Sequence, residues 1–303
     1  MNWKKTFIAL TFITTLFTQV SHAGIINVLW LTGNDSYNDS IAQLGTGGAD
    51  DASTYDPLGD GSNSWNIDFW DTGLPDFSNY NALVIGSTCY GNATDSCYGS
   101  NGFFGLDIFA DLILDYSSEI AAARGDRTFV SGQDADWHYT RQNNQGARDF
   151  LINAVNWAAS GTGLGIVALA DGHVSGNNSG WINADGSFLK DELGDARQIQ
   201  DSETVIIPTD SEDFPINEGL TSARLSNWGT SSHTYFTKSE LDTSEWKSIN
   251  DFAVLDGDNS VTLVTASEAG GGTTGPKPIP EPSVFALLSI ALFGFTRKRL
   301  NCK

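Results

Sequence analysis

The chain runs to 303 residues, 40% of them hydrophobic and 17% charged, and sets 16 Lys and Arg against 37 Asp and Glu for a formal net charge of −21. So large an acid excess excludes nucleic acid and anionic membrane surfaces as partners, because the field of the whole protein opposes their approach. The length suffices for one fairly large domain with a sizeable core.

At the start, Lys4 and Lys5 precede an apolar stretch from Phe7 to Phe17, and Ser21-His22-Ala23 puts small residues at minus three and minus one of a signal-peptidase site. Residues 1–23 therefore read as a signal peptide and Gly24 as the first residue of the mature chain. Six of the 16 basic residues lie in this segment and at the far C-terminus, which leaves ten against all 37 acidic ones between Gly24 and Pro282, a net of −27. Divalent cations, cationic matrix material or plain solubility outside the cell suit such a surface.

Ile25 to Leu31 is a nearly continuous apolar run, the mark of a strand buried on both faces of a parallel sheet. A helix follows over Tyr37–Leu44, then a Gly- and Asp-rich loop to Ser64. Trp65 to Trp70 alternates as a second strand, Pro75-Asp76-Phe77 turns, and Ala82 to Ile85 is a third strand ending at Gly86-Ser87. Phe103 to Ala123 carries apolar residues at helical spacing and ends at Gly125. Thr128 to Ser131 is a short strand, Ala147 to Ala159 a helix closed by Gly161, and Leu164 to Ala170 another buried strand. Strand and helix alternating in this way imply right-handed crossovers and a three-layer α/β domain with a mostly parallel sheet.

From Asp171 to Gln200 the chain turns rich in Gly, Asn and Asp and reads as a loop-rich insertion over the sheet. Its Gly176–Gly186 part, with Asn177, Asn178, Trp181 and Asp185, has the polar and aromatic content of a carbohydrate-binding loop or of an ordinary secreted one. Val205 to Ile207 reads as an edge strand, Ile216 to Leu225 as a loop or helical turn. Phe252–Leu255 and Val261–Thr265 are final strands about an Asp256–Asn259 turn. The globular domain spans 24–267, with a linker over 268–279.

Cys89 and Cys97 are the only cysteine pair in the exported part, Cys302 lying beyond the apolar tail. In an oxidising compartment they form a disulfide closing a short loop, for about 2 to 3 kcal/mol by the chain-entropy estimate. The alternative makes Cys89 a nucleophile just after a strand, which a disulfide would silence.

The best constellation for chemistry is Gly132 to His138. In extended chain Asp134, Asp136 and His138 point to one side, so two carboxylates and an imidazole can hold a divalent ion or orient a water. They follow a strand, where ligands of open parallel sheets gather. His173 follows the next strand in the same sense, and His233 falls in the aromatic segment Trp228–Phe236. The plainer reading is a polar turn in which Asp134 caps Arg141 or a backbone amide and His138 packs beside Trp137.

Residues 280–303 hold three ordered elements: Pro280-Glu281-Pro282, an apolar run from Val284 to Phe295, and the cluster Arg297-Lys298-Arg299. The run is shorter than the roughly 20 residues of a comfortable transmembrane helix, yet the basic cluster would hold the end on the cytoplasmic side. This order closely resembles the PEP-CTERM sorting signal, which Gram-negative bacteria present to an exosortase for removal; an ordinary anchor helix is the alternative. The resemblance implies an apolar sorting helix, signal peptidase and exosortase as processing partners, and export across the inner membrane. It further implies a transient C-terminal anchor, a destination at the cell surface or beyond it, and association with extracellular polysaccharide and biofilm.

The opening strand into Leu31-Thr32-Gly33-Asn34-Asp35, the Tyr80–Gly86 strand and Ser232-His233-Thr234-Tyr235-Phe236 also resemble the class I glutamine amidotransferase-like, flavodoxin-like fold. Active members carry a nucleophile on a tight strand-to-helix elbow, and here the only candidate, Cys89, sits in the expected disulfide loop. Three functions are thus in view: a non-catalytic exported matrix protein, a divalent-metal-assisted hydrolase using Asp134, Asp136 and His138 with His173 as a further candidate, and a thiol enzyme pairing Cys89 with His138 or His233.

Overall fold

The computed structural model describes residues 25–31, 41, 64–87, 108–170, 180–200, 204–228, 232–253 and 257–266, all within one unit, Ile25–Lys277. In chain order its strands are β1 (Ile25–Leu31), β2 (Ser64–Trp70), β3 (Ala82–Ile85), β4 (Arg124–Ser131), β5 (Leu164–Leu169), β6 (Arg197–Gln200), β7 (Val205–Ile206), β8 (Ser232–Tyr235), β9 (Trp246–Phe252) and β10 (Thr262–Thr265). Its α-helices are α1 (Ile108–Asp115), α2 (Ser117–Ala123), α3 (Ala135–Gln142), α4 (Gln145–Ala159), α5 (Lys190–Leu193) and α6 (Ser222–Leu225).

Eight strands form one sheet in the order β2-β1-β3-β5-β4-β10-β9-β7, and β6 pairs with β8 apart from it. The pairings from β2 to β4 are parallel; β10, β9 and β7 add an antiparallel side. The chain is therefore a mixed α/β protein with a large, mostly parallel sheet.

Alternation along the strands gives each face its own core. One face carries Val28, Trp30, Val84, Phe129 and Val167 against Phe150, Leu151, Ala154 and Val155 of α4. The other carries Leu29, Leu83, Ile85, Val130 and Ile166 against Ile113, Ile120, Trp181, Leu189 and Leu193. A buried leucine or phenylalanine in such a layer contributes about 2 to 3 kcal/mol, so the strands buried on both sides anchor the fold. The start of α4 is set by Asn144, whose side-chain oxygen accepts from the backbone N–H groups of Gly146 and Ala147.

Several local expectations change. Of the helix expected over Phe103–Ala123, residues 103–107 lie outside the described residues and the rest is two helices, broken at Tyr116; Gly125 does not end it but lies inside β4. A side chain at Gly125 would collide with the Thr162 carbonyl, so glycine lets the strand start there. β9 begins at Trp246, before the Phe252 expected from the apolar pattern, because Lys247, Ser248 and Asn250 interrupt that pattern within the strand. Trp181 is 1% exposed and stacks on Phe188 with ring centroids 5.7 Å apart, so it is core and cannot serve as a sugar platform.

The signal peptide, the Cys89–Cys97 pair, His173, Gly176–Ser179 and the 268–303 linker and tail lie outside the described residues, as does the expected Tyr37–Leu44 helix apart from Ile41, which is helical and buried. Among the described residues no helix is long and apolar enough to cross a membrane.

Candidate metal centre

The chain leaving β4 does not stay extended. Gly132 and Gln133 follow Ser131, Asp134 takes the N-cap position, and Ala135 opens α3. Helical spacing replaces the expected period of two, so Asp134 and His138, four residues apart, face each other while Asp136 turns away. Asp134 Oδ1 lies 2.9 Å from His138 Nε2. The third member comes from β8: His233 Nε2 lies 3.0 Å from the same oxygen. One ligating atom from each of Asp134, His138 and His233 lies within 4.8 Å of the others, and all three residues are buried.

Backbone contacts at the end of β4 bring His233 in. The Gly132 N–H donates to Val261 O, and the Thr234 N–H donates to Gly132 O, both at 2.8 Å. β8 thus crosses directly over Gly132, where any side chain would collide with the Thr234 carbonyl. Gln133 Nε2 donates to Leu225 O at 2.8 Å, tying the turn to α6. The imidazole of His138 is walled by Trp137, Trp228 and His233, with centroids at 4.8, 5.3 and 5.6 Å. The packing of His138 beside Trp137 was part of the plainer reading; as N-cap of α3 Asp134 makes no side-chain cap hydrogen bond, and the Arg141 side chain, the other partner expected for it, lies outside the described side chains.

The donor set fits a metal on protonation grounds. His138 Nδ1 is 2.9 Å from Gln142 Oε1, an acceptor, so Nδ1 donates there and, in a neutral ring, Nε2 would turn its lone pair toward Asp134 Oδ1. Two acceptors 2.9 Å apart repel unless a proton or a cation lies between them. Protonating both rings would place two positive charges on one carboxylate in a site at most 1% exposed. One divalent ion shared by two neutral imidazoles and a carboxylate carries the same net charge but places it on a single centre that all three groups ligate. Burial pushes the Asp134 carboxyl up, but with protons on the two Nε2 atoms in place of an ion the hydrogen bonds and charge of His138 and His233 outweigh it and hold the group down at about 2, ionised as a ligand must be.

Asp136, expected beside the other two, has separate work. Its Oδ2 accepts from the Ser87 N–H and its Oδ1 from the Trp137 N–H, both at 2.9 Å. Burial pushes this carboxyl up to about 6 against the pull of the Ser87 contacts, the nearby Asp134 charge adding to the rise. Asp136 therefore joins the end of β3 to α3, next to the three-residue centre but outside it.

No family model, curated protein or solved structure matches the chain. The site has to be read from its own chemistry.

Of the residues named from sequence, Asp134 and His138 come together, Asp136 is displaced to Ser87, and His173 and Cys89 lie outside the described residues. His233 was named from sequence as a residue of the aromatic segment and as a partner for Cys89, not as a ligand beside Asp134 and His138; its signal was a histidine in an alternating strand segment, which does not say what it faces.

Proposed function

We propose that this chain is an exported, tail-processed surface protein whose α/β body carries a divalent transition-metal centre of hydrolytic type, held by Asp134, His138 and His233. The observation that carries it is the convergence of two imidazole nitrogens and one carboxylate oxygen in a buried site at the carboxyl end of β4. Among the described residues there are three ligands, and catalytic centres typically use three protein ligands and keep one position for water or substrate, whereas structural zinc sites use four. Such an ion would supply Lewis acidity toward a bound water or carbonyl oxygen. The chain's own residues would hold and orient it, His138 through Gln142, while Trp137, Trp228 and Phe252 keep the surroundings apolar.

The flavodoxin-like, amidotransferase-like kinship belongs to the same proposal. The run β2-β1-β3 supports it; the next two strands, β5 and β4, stand in exchanged order. Signal peptidase, exosortase and an extracellular polysaccharide setting rest on residues 1–23 and 280–303.

Native mass spectrometry and elemental analysis of the exported protein, with and without chelator, test the reading. One divalent ion per chain, lost in His233→Ala, is expected; an ion content unchanged by His233→Ala, or no ion at all, sinks it. A second reading, a structural ion in a non-catalytic matrix protein, is favoured by the near-zero exposure of all three ligands. It predicts an ion that neither exchanges nor binds a small anionic inhibitor.

A further inference from the structure

The large sheet ends, on the side away from β2, at β7, which is two residues long and pairs with β9. An edge strand presents a row of unpaired N–H and C=O groups, to which a strand of another chain can add. On the inner side of β7 the Ala253 N–H donates to Thr204 O at 2.8 Å, and Ile206 pairs with Asp251. Backbone groups alternate in direction along a strand, so the Val205 N–H and C=O and the Ile207 N–H turn outward.

What meets them is α6 with its C-cap residue Ser226. The Val205 N–H donates to Ser226 Oγ at 2.8 Å, and the Ile207 N–H donates to Ser222 Oγ at 3.0 Å. The hydroxyl hydrogen of Ser226 is shared between Val205 O and Ser222 O. The match is one of spacing: four residues of helix rise about 6 Å and two of strand about 6.7 Å, so hydroxyls one helical turn apart fall opposite alternate strand donors. The helix is itself tied down. Leu225 is buried, Gln133 Nε2 donates to Leu225 O, and Trp228 Nε1 donates to Arg224 O. Pro208 follows Ile207 and, having no N–H, offers β9 nothing further to pair with.

We infer that α6 is a plug on this sheet edge: Ser222 and Ser226 take the place of a further strand and keep β7 from pairing with the β7 of a second copy of the chain. A second copy is the strand that fits, because its β7 offers the same N–H, C=O and N–H groups and two-fold pairing sets them against each other in antiparallel register. Charge does not protect this edge. β2, at the other end of the sheet, carries the exposed Asp68, whereas the side chain that β7 leaves outside is Ile206, apolar and 43% exposed. The inference rests on these backbone contacts and is independent of the metal centre.

Sedimentation velocity across a wide concentration range, on the wild type and on the double variant Ser222→Ala, Ser226→Ala, tests it. The double variant is expected to self-associate, with about a twofold rise in weight-average mass over the wild type at the same concentration, as pairing of two copies requires. Ile206→Lys added to the double variant puts a charge on the edge and is expected to return the mass to the wild-type value. Association that Ile206→Lys does not reverse comes from misfolding and overturns the inference, as does a double variant that keeps the wild-type mass. Amide hydrogen exchange on dilute samples gives a second readout, with the β1, β3 and β5 amides as the control for folding. The Val205 and Ile207 amides should exchange at least tenfold faster in the double variant, and the Val205 amide alone in Ser226→Ala; equal protection in all three proteins overturns the role of the serines.

Discussion

His233 Nε2 lies 3.0 Å from Asp134 Oδ1, across 99 residues of chain. That contact joins the short β6–β8 ribbon to the end of β4 and turns an i, i+4 helical pair into a three-sided site. Removing either end leaves a buried charge or ring without its neighbour, and breaking such a buried pair costs about 3 to 5 kcal/mol. His233→Ala is therefore expected to lower chelated-protein stability by an amount in that range and to abolish the thermal stabilisation that added zinc gives the wild type. Differential scanning calorimetry with and without zinc reads both.

Gln142 acts on the centre through His138. Its Oε1 fixes the proton on Nδ1, and loss of such an outer partner typically weakens metal affinity about 10- to 100-fold. Gln142→Leu should show that loss in a competitive chelator titration. Gln142→Glu, which keeps an acceptor at the same reach, should recover most of it; equal affinities in wild type and Gln142→Leu would exclude the role.

Two glycines offer a paired test. Gly132→Ala would strike the Thr234 carbonyl and Gly125→Ala the Thr162 carbonyl, both backbone atoms that cannot swing aside. Both should destabilise by about 1 to 3 kcal/mol or more, in the range of overpacking. Only Gly132→Ala displaces β8, so only it should reduce metal affinity in the folded fraction.

The two aspartates respond oppositely to pH in metal-free protein. Asp136 has its folded value raised from 3.8 to about 6, so its stability contribution is full below about pH 4 and is lost as pH rises through 6. The loss is about 3 kcal/mol at 1.36 kcal/mol per pKa unit. Asp134, held down at about 2, contributes above pH 4 and loses that contribution as pH falls toward 2. Urea melts of wild type and Asp136→Asn from pH 4 to 7.5 should show the wild-type advantage shrinking with pH; a constant difference would contradict it.

The cysteines make a prediction independent of the described residues. On the proposed export to an oxidising compartment, the protein should show no thiol reacting at Cys89 or Cys97 before reduction, and reduction should cost about 2 to 3 kcal/mol. A freely labelled Cys89 would revive the thiol-enzyme reading.

Much of the fold was legible because its signals are local. The runs at Ile25–Leu31, Ala82–Ile85 and Leu164–Leu169 name strands buried on both faces, and Asn144 with the Phe150–Ala158 stripe names α4. Asp134 and His138 were likewise legible as neighbours, though for the wrong geometry: an alternating reading placed Asp136 with them, and the helix starting at Ala135 sent it to Ser87. Gly86 and Ser87 read only as a strand end.

The sequence by itself determined the charge, the alternating strands and helices, and the turn after β4 as the place to look. All of these depend on the order of residues within a dozen positions. Only the tertiary structure decided that His233 completes the site, that Asp136 lies against Gly86, and that β5 sits between β3 and β4. Those facts depend on which strand lies beside which, and residues 50 to 100 positions apart are brought together by sheet pairing and core burial, whose outcome no local spacing records.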